Sequence, residues 1–232
     1  MSDAKKVHLV SSRSLTRRNM EAAISAAKLP VHFVECDLEG VDLSRLDLSR
    51  FVFERCALIE CNLSYSEAVG STWISCRARK TLLRGADFGD AKFKAGDWNN
   101  SEWQEAQLSG ARFDGTKLTG ADFRGAKAIG TEFADCPMQS AMLSGLSFSR
   151  SQLGRCDMTS ADLRKCDFRY ASFAEGSSIA SSLIDQAKFE GCDLREASLS
   201  GHGIASLKIL AGARISLAQA AAIVSSAGVK VG

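Results

Sequence analysis

A large apolar side chain recurs at every fifth residue from Phe33 to Phe173, and this spacing constrains the fold more than any other feature of the chain. Among the 29 centre positions of this series, 21 are Leu or Phe, three are Trp and two are Met. Only Ala68, Ala78 and Ala128 are smaller. Two residues before the centre, 24 of the 29 positions hold Ala, Cys, Ser, Thr or Gly. Each block of five therefore carries one large and one small residue on a common face.

A period of five fits neither an α-helix nor a flat strand. Residues five apart would be scattered around a helix axis and would alternate between the faces of a strand. The chain must therefore turn a corner in every block. Glycine two residues after the centre suits such a corner, as in the run from Gly110 to Gly130, because glycine tolerates a positive φ. These features predict an all-β solenoid with both apolar positions pointing inward.

The distribution of aromatic centres predicts four sides. If four blocks make one turn, residues twenty apart stack, and seven of the eight centres in one such column are aromatic. These centres are Phe33, Phe53, Trp73, Phe93, Phe113, Phe133, Leu153 and Phe173. One residue is inserted around Gly176, after which the phase resumes from Ile179 to Ile209. The count gives about nine coils, a rod about 43 Å long at roughly 4.8 Å per coil.

The block Ala121-Asp122-Phe123-Arg124-Gly125 resembles the repeat of the pentapeptide-repeat proteins. The resemblance covers nearly the whole chain, and it implies a right-handed quadrilateral β-helix. On this interpretation residues 1–30 form an N-terminal cap, 31–211 the β-helix and 212–232 a C-terminal helix and strand. Both caps are expected to contain short α-helices. The repeat positions build the rod and do not identify its partner.

Eight cysteines raise the alternatives of disulfides, a metal site or simple packing. All of them occupy the small inward position: Cys36, Cys56, Cys61, Cys76, Cys136, Cys156, Cys166 and Cys192. There is no C-x-x-C pair, and stacked cysteines would have parallel Cβ vectors, which opposes disulfide geometry. The pattern therefore favours buried structural thiols, with no metal and no cofactor.

The sequence offers no catalytic constellation. The three histidines lie in unrelated contexts, and no glycine-rich phosphate loop follows a strand. Ten aspartates directly precede a centre residue, which is the usual structural Asp or Asn position of the repeat: Asp37, Asp42, Asp47, Asp87, Asp97, Asp122, Asp157, Asp162, Asp167 and Asp193. We therefore expect a protein that is not an enzyme.

Both ends of the chain depart from the repeat. Asn19 or Ser14 is a candidate N-cap for a short helix that runs to about Lys28 and is stopped by Pro30. At the other end, Ser216 and Gln219 have the spacing of a capping box for a helix ending at Gly228. Residues 228–231 are predicted to form a short strand.

The C-terminal stretch is similar to the close of the Qnr-type quinolone-resistance proteins, in which a terminal helix and strand form a symmetric dimer. Leu217, Ala221 and Val224 fall on one side of the predicted helix and are the candidate dimer contacts. The alternative is a lid that only seals the last coil.

Proteins of this family act through protein–protein contacts, and the best-known members imitate DNA to occupy gyrase or topoisomerase IV. The resemblance thus implies an interaction protein, with topoisomerase-directed quinolone resistance or toxin self-immunity as the alternative. Residues 31–210 carry 25 acidic and 21 basic side chains, a net charge of −4, whereas duplex DNA of the same length carries about 25 negative charges. The net charge of the rod is therefore a poor match to that of DNA. We expect a cytoplasmic homodimer that binds neither nucleic acid nor membranes directly.

One outward surface stands out as a candidate partner site. Its members are apolar or basic residues of the first turns: Val34, Val52, Ile59, Ile74, Arg77, Arg79, Lys80 and Arg84. Apolar residues at outward positions are covered either by a partner or by the N-terminal segment, and both interpretations stay open. The basic residues are either contacts for an acidic partner or a solvated rim.

Overall fold

The computed structural model describes residues 8–26 and 30–232. Short strands on one side of a coil account for most of the regular structure, and two α-helices lie at the ends. The elements are β1 (His8–Ser11), α1 (Arg17–Ala26), β2 (Val31–Val34), β3 (Val52–Glu54), β4 (Thr72–Ile74), β5 (Lys92–Lys94), β6 (Arg112–Asp114), β7 (Glu132–Ala134), β8 (Gln152–Leu153), β9 (Ser172–Phe173), a 3-10 helix (Ile204–Lys208) and α2 (Leu217–Ser225).

The strands pair in parallel with a register of twenty residues, which confirms four blocks per turn. Phe33 pairs with Phe53 and Phe53 with Trp73, and the same step continues to Phe133. Isolated parallel bridges with the same spacing join the other three sides, for example Asp42 with Asn62. We name the four faces after their first centres: the Phe33 face, the Leu38 face, the Leu43 face and the Leu48 face.

The core contains both predicted inward positions of each block. Every centre from Phe33 to Phe173 is buried, including the three alanines. Aromatic rings of the Phe33 face stack along the rod, with ring centroids 4.1 Å apart for Phe53 and Trp73 and 4.5 Å apart for Phe93 and Phe113. Such offset stacks add to the free energy of burial, so this face is the rigid spine of the rod.

The predicted insertion near Gly176 is confirmed, and the structure has about eight regular turns where about nine coils were predicted. The register is twenty-one residues for the bridges that span the insertion, from Asp157 with Ser178 to Ser172 with Asp193, and it is twenty again for Ser178 with Ser198. About eight regular turns run between Phe33 and Leu194. The next turn contains the 3-10 helix, in which Ile204 is 47 % exposed instead of buried. Because Ile204 does not point into the core, the five-residue repeat is not maintained in this turn.

The corners have a positive φ in nearly every turn, yet most of them are not glycine. Arg45, Tyr65 and Lys80 have φ values of 61°, 60° and 56°. The corner conformation is thus imposed by the inter-turn hydrogen bonds and core packing, which outweigh the cost of the left-handed region for these residues.

Each end cap differs in detail from the prediction. Thr16, and not Asn19 or Ser14, begins α1: its hydroxyl accepts from the Asn19 N–H at 3.3 Å, while Asn19 Oδ1 accepts from the Thr16 N–H at 2.9 Å. Ser14 instead bridges to Asp37. The predicted helix end at Lys28 lies outside the described residues. The sequence analysis also missed β1, which extends the Phe33 face by pairing with β2.

The C-terminal capping box is confirmed, with Ser216 as N-cap and Gln219 completing it. Residues 228–231 form no strand in this single chain, and Val229 and Val231 are about half exposed. Within the described residues no backbone hydrogen bond joins residues 229–231 to another segment, so the predicted strand is not formed in a single chain.

Candidate interaction surfaces

The ten aspartates that precede centre residues close the turns of the coil. In each, one carboxylate oxygen accepts the backbone N–H two residues later, as Asp47 does from Ser49 and Asp87 from Gly89, both at 2.9 Å. The other eight are Asp37, Asp42, Asp97, Asp122, Asp157, Asp162, Asp167 and Asp193. This arrangement mimics a backbone turn, so these carboxylates are structural groups.

Several of the same carboxylates also hold an arginine two residues later. Asp162 pairs with Arg164, and Asp193 with Arg195, both with oxygen-to-nitrogen distances of 2.7 Å. The hydrogen bond from the Arg195 guanidinium lowers the pKa of Asp193 to about 2, and that from Arg164 lowers the pKa of Asp162. Much of the formal charge on the rod is therefore neutralised locally.

The cysteines are buried as predicted, and none forms a disulfide. The Cys56 and Cys76 thiols lie within hydrogen-bonding distance of the Phe33 and Phe53 carbonyls of the preceding turn, at 3.5 and 3.3 Å. Burial raises the pKa of the Cys61 and Cys166 thiols to about 12. Such thiols are poor nucleophiles and poor metal ligands at neutral pH. Across residues 8–26 and 30–232, no group of three or more His, Cys, Asp or Glu side chains could hold a metal ion.

The fold distributes the candidate partner residues over three faces. The register puts Val34, Val52 and Ile74 on the outside of the Phe33 face. Ile59, Arg77, Arg79 and Lys80 belong to the neighbouring Leu38 face, and Arg84 to the Leu43 face. The Phe33 and Leu38 faces meet at one edge of the rod. Arg84 lies beyond the next edge, on the Leu43 face.

The basic members of this set differ in their contacts. Lys80 Nζ lies 3.0 Å from a Glu60 oxygen, and Arg84 lies 2.7 Å from Glu105. Arg77 and Arg79 are exposed and form no ion pair within the described part of the chain. Of the four, these two retain the most charge for a partner.

The N-terminal segment stacks on the first turn instead of lying along this edge. Strand β1 continues the Phe33 face beyond β2, and Met20 of α1 is fully buried at the end of the core. Arg17 Nη1 donates to the Asp42 and Ser44 carbonyls at 3.1 and 3.2 Å. Residues 8–26 thus leave Val52, Ile59 and Ile74 half exposed.

A column of acidic residues was not singled out from the sequence. On the Leu48 face, Asp47, Glu67 and Asp87 occupy the same outward position in three consecutive turns and bridge in register. Three like charges in adjacent rungs concentrate a negative potential on one side of the rod's first half. Searching outward positions at a spacing of twenty for one sign of charge would have found them.

The far end of the rod carries an exposed apolar surface. Leu217 of α2 is 91 % exposed, while Ala221 and Val224 are half-buried and Ile223 is buried against the last turn. Gln219 fixes the helix, because its Nε2 donates to the Leu194 and Ala197 carbonyls at 2.7 Å. This anchoring role was missed, since the sequence motif indicated only a capping box. Of the candidate dimer contacts, Leu217 thus points away from the coil, while Ala221 and Val224 are only partly exposed.

Comparison with known proteins identifies the repeat. A model described as a pentapeptide repeat region matches residues 46–123, and one for eight copies of the pentapeptide repeat matches 106–145 and 147–175. The chain belongs to the pentapeptide-repeat family. Its coil is the right-handed quadrilateral β-helix that this membership implies.

Among the similar solved structures, QnrB1 shares the architecture of this protein. Full-length QnrB1, a plasmid-mediated fluoroquinolone resistance protein, has a TM-score of 0.52 at 18 % identity, covering 97 % of this chain and 99 % of that chain. HetL, involved in heterocyst differentiation regulation in the cyanobacterium Nostoc sp. strain PCC 7120, has a TM-score of 0.39 at 18 % identity, covering 86 % of this chain and 94 % of that chain.

Comparison with curated protein sequences gave no match. Within the described residues, every helix is too short or too polar to cross a bilayer.

Proposed function

We propose that this protein is a non-enzymatic interaction rod that works in the cytoplasm as a homodimer. The observation that carries the proposal is the apolar end of an otherwise closed coil, where Leu217 is 91 % exposed. Large apolar side chains of this exposure at the end of a rod favour association, because burial removes them from water.

A two-fold pairing of α2 fits this surface. Leu217, Ala221 and Val224 recur at intervals of four and three residues, so they line one side of the helix. Ala221 is small enough for two such helices to approach closely. The half-exposed Val229 and Val231 lie next in the chain, and in a dimer they would gain the neighbours that they lack in one chain.

The edge between the Phe33 and Leu38 faces is the proposed partner surface. It combines partly exposed Val52 and Ile74 with Arg77 and Arg79, whose guanidinium groups form no ion pair with residues 8–26 or 30–232. Arginine beside apolar surface is typical of the centre of protein interfaces. The partner that this chemistry fits is a protein with an acidic rim around an apolar contact.

Sedimentation equilibrium across a wide range of protein concentrations tests the assembly. The proposal requires a dimer mass that gives way to the monomer mass on dilution. A monomer at every concentration would contradict it.

A topoisomerase-binding role is the second candidate, supported by the acidic column of Asp47, Glu67 and Asp87 and by the full-length likeness of fold to QnrB1. Its test is supercoiling by purified gyrase, with and without a fluoroquinolone. Protection or inhibition at stoichiometric protein, lost when Glu67 and Asp87 are replaced by Gln and Asn, supports this role. An unchanged reaction in both conditions removes it.

A further inference from the structure

The ladder of hydrogen bonds between successive turns is open along one stretch in the middle of the rod. Five inter-turn bonds that the repeat would form between residues 125–131 and 144–152 are absent. Each would join a backbone N–H to a carbonyl: Gly125 to Ser144, Ser147 to Ala126, Ala128 to Ser147, Gly130 to Ser149 and Gln152 to Thr131. We call this stretch the seam.

The preceding turn shows what is missing. All five equivalent bonds are present there, including Leu108 N–H to the Lys127 carbonyl at 2.8 Å and Gly110 N–H to the Ile129 carbonyl at 3.0 Å. The remaining three are Glu105 to Arg124, Lys127 to Ala106 and Glu132 to Ala111. The sheet is interrupted at the same place, since β1 to β7 form one sheet and β8 and β9 another.

Two departures from the repeat lie on opposite sides of the seam. Leu146 is the only large residue at a small inward position after Phe51 within 33–173, and it is buried. Ala128 is a centre residue that is small, and it lies one turn below. A large side chain at the small inward position of one turn and a small centre in the turn below cannot both keep the standard spacing between turns, because the interior is close-packed.

The seam opens one side of the rod while other sides stay closed. On the Leu43 face, Phe123 N–H donates to the Met142 carbonyl at 2.8 Å and Met142 N–H to the Ala121 carbonyl at 2.9 Å. On the Leu38 face, Leu118 N–H donates to the Pro137 carbonyl at 2.7 Å. The backbone is thus joined on one side and free on the other, which is the geometry of a hinge.

The exposed surface at the seam agrees with this description. Ile129 is 76 % exposed, the highest value among large apolar residues of the coil. A groove of about 590 Å³ lies between residues 130–134 and 149–152. Backbone groups along the open edge therefore have access to water.

We propose that the seam is the opening point of the rod and divides it into two cooperative units, one N-terminal and one C-terminal to it. In a solenoid each turn is held only by its neighbours, so among the regular turns from Phe33 to Phe173 the interface that lacks five bonds separates first. The two units move apart along the Leu48 face, with the Leu43 and Leu38 faces as the axis.

Native-state hydrogen exchange on the wild-type protein tests the proposal. We expect the Ala128, Gly130, Ser147 and Gln152 amides to exchange at least about a hundredfold faster than the Leu108, Gly110, Lys127 and Glu132 amides one turn earlier. With added denaturant, the free energies of opening of the protected amides should fall into two sets, one on each side of the seam. Each set should have its own dependence on denaturant concentration. Equal protection in the two turns, or one set spanning the rod, would overturn the proposal.

A repair variant provides the matched control. Ala128→Leu with Leu146→Ala restores a large centre and a small residue at the small inward position. We expect this variant to slow exchange at the seam amides about tenfold or more and to merge the two sets. A folded variant with unchanged seam exchange would contradict the assigned cause. If the variant does not fold, the wild-type exchange data decide the proposal alone.

Discussion

Gly96 shows how closely one residue is matched to its neighbours. A Cβ at this position would lie 2.6 Å from Trp98 Nε1 and 3.1 Å from the Cys76 carbonyl. Gly154, in contrast, has nothing within 4 Å of the equivalent position, and neither glycine has a positive φ.

We therefore expect Gly96→Ala to destabilise the protein by about 1–3 kcal/mol through overpacking. The control Gly154→Ala should be neutral or stabilising by about 0.4–1 kcal/mol, because it restricts the unfolded chain. Urea unfolding midpoints compare the two. Equal effects would show that Trp98 does not lie against Gly96.

The ion pair of Asp193 makes stability depend on pH in a defined direction. Its folded-state pKa, about 2, is below the unfolded value of roughly 3.9. The stability that the ion pair contributes is therefore present above pH 4 and is lost as the pH falls toward 2.

Asp193→Asn should lower the free energy of unfolding by about 1 kcal/mol at pH 7, after allowance for solvent screening. The difference should become progressively smaller below pH 4. Denaturant titrations of both proteins from pH 7 to pH 2 measure this difference. A difference that stayed constant across the range would exclude the ion pair as its source.

At the residue scale, the sequence predicted which side chains are buried, because the five-residue phase acts on every turn alike. It did not predict what the polar inward residues do. Ser71 and Ser101 accept the indole N–H of Trp73 and Trp103 at 2.8 and 2.6 Å. Their position marks them only as small, and the indole orientation depends on the neighbouring rings.

The stacked column of the Phe33 face is a continuous element of the core. Phe113 lies between Phe93 and Phe133, with ring centroids 4.5 and 4.9 Å away. Phe113→Ala should lower the free energy of unfolding by about 3–5 kcal/mol through lost burial and a cavity. Asp114→Ala, at the exposed adjacent position, should cost little. Equal changes in the denaturation midpoint would contradict the inward register.

The thiols give an independent check on the same register. All eight are buried, and burial raises the pKa of Cys136 and Cys192 to about 12. A thiol reagent counted by mass spectrometry should label few cysteines in the native protein and all eight after unfolding. Rapid labelling of most native thiols would contradict the inward position of the cysteine columns.

At the scale of elements, the two end caps were predicted in kind but not in detail. Thr16 was missed because the short segment offers three polar residues with N-cap chemistry, and only the position of α1 on the first turn selects one. Strand β1 was missed because residues 8–11 carry no repeat and acquire strand structure by pairing with β2.

For the whole molecule, the four blocks per turn and the register of twenty followed from spacing alone, whereas the surfaces did not. Outward positions carry no periodic constraint, so the candidate partner residues were assigned to three separate faces only once the register was known. The sequence did not predict the seam either, because Leu146 and Ala128 are each a single departure from the repeat, and other blocks have similar departures. Their effect arises from stacking in adjacent turns.

The central claim for the whole molecule is that the rod pairs through α2. In a two-fold dimer, Ala221→Glu would bury one carboxylate from each subunit without a partner, at a cost of several kcal/mol. Ser109→Glu adds the same charge at an exposed site on the coil and is the matched control.

Light scattering coupled to size exclusion decides the matter, with circular dichroism to confirm that each variant is folded. We predict a dimer for the wild type and for Ser109→Glu, and a folded monomer for Ala221→Glu. A monomeric wild type, or an Ala221→Glu dimer as tight as the parent, would contradict the account.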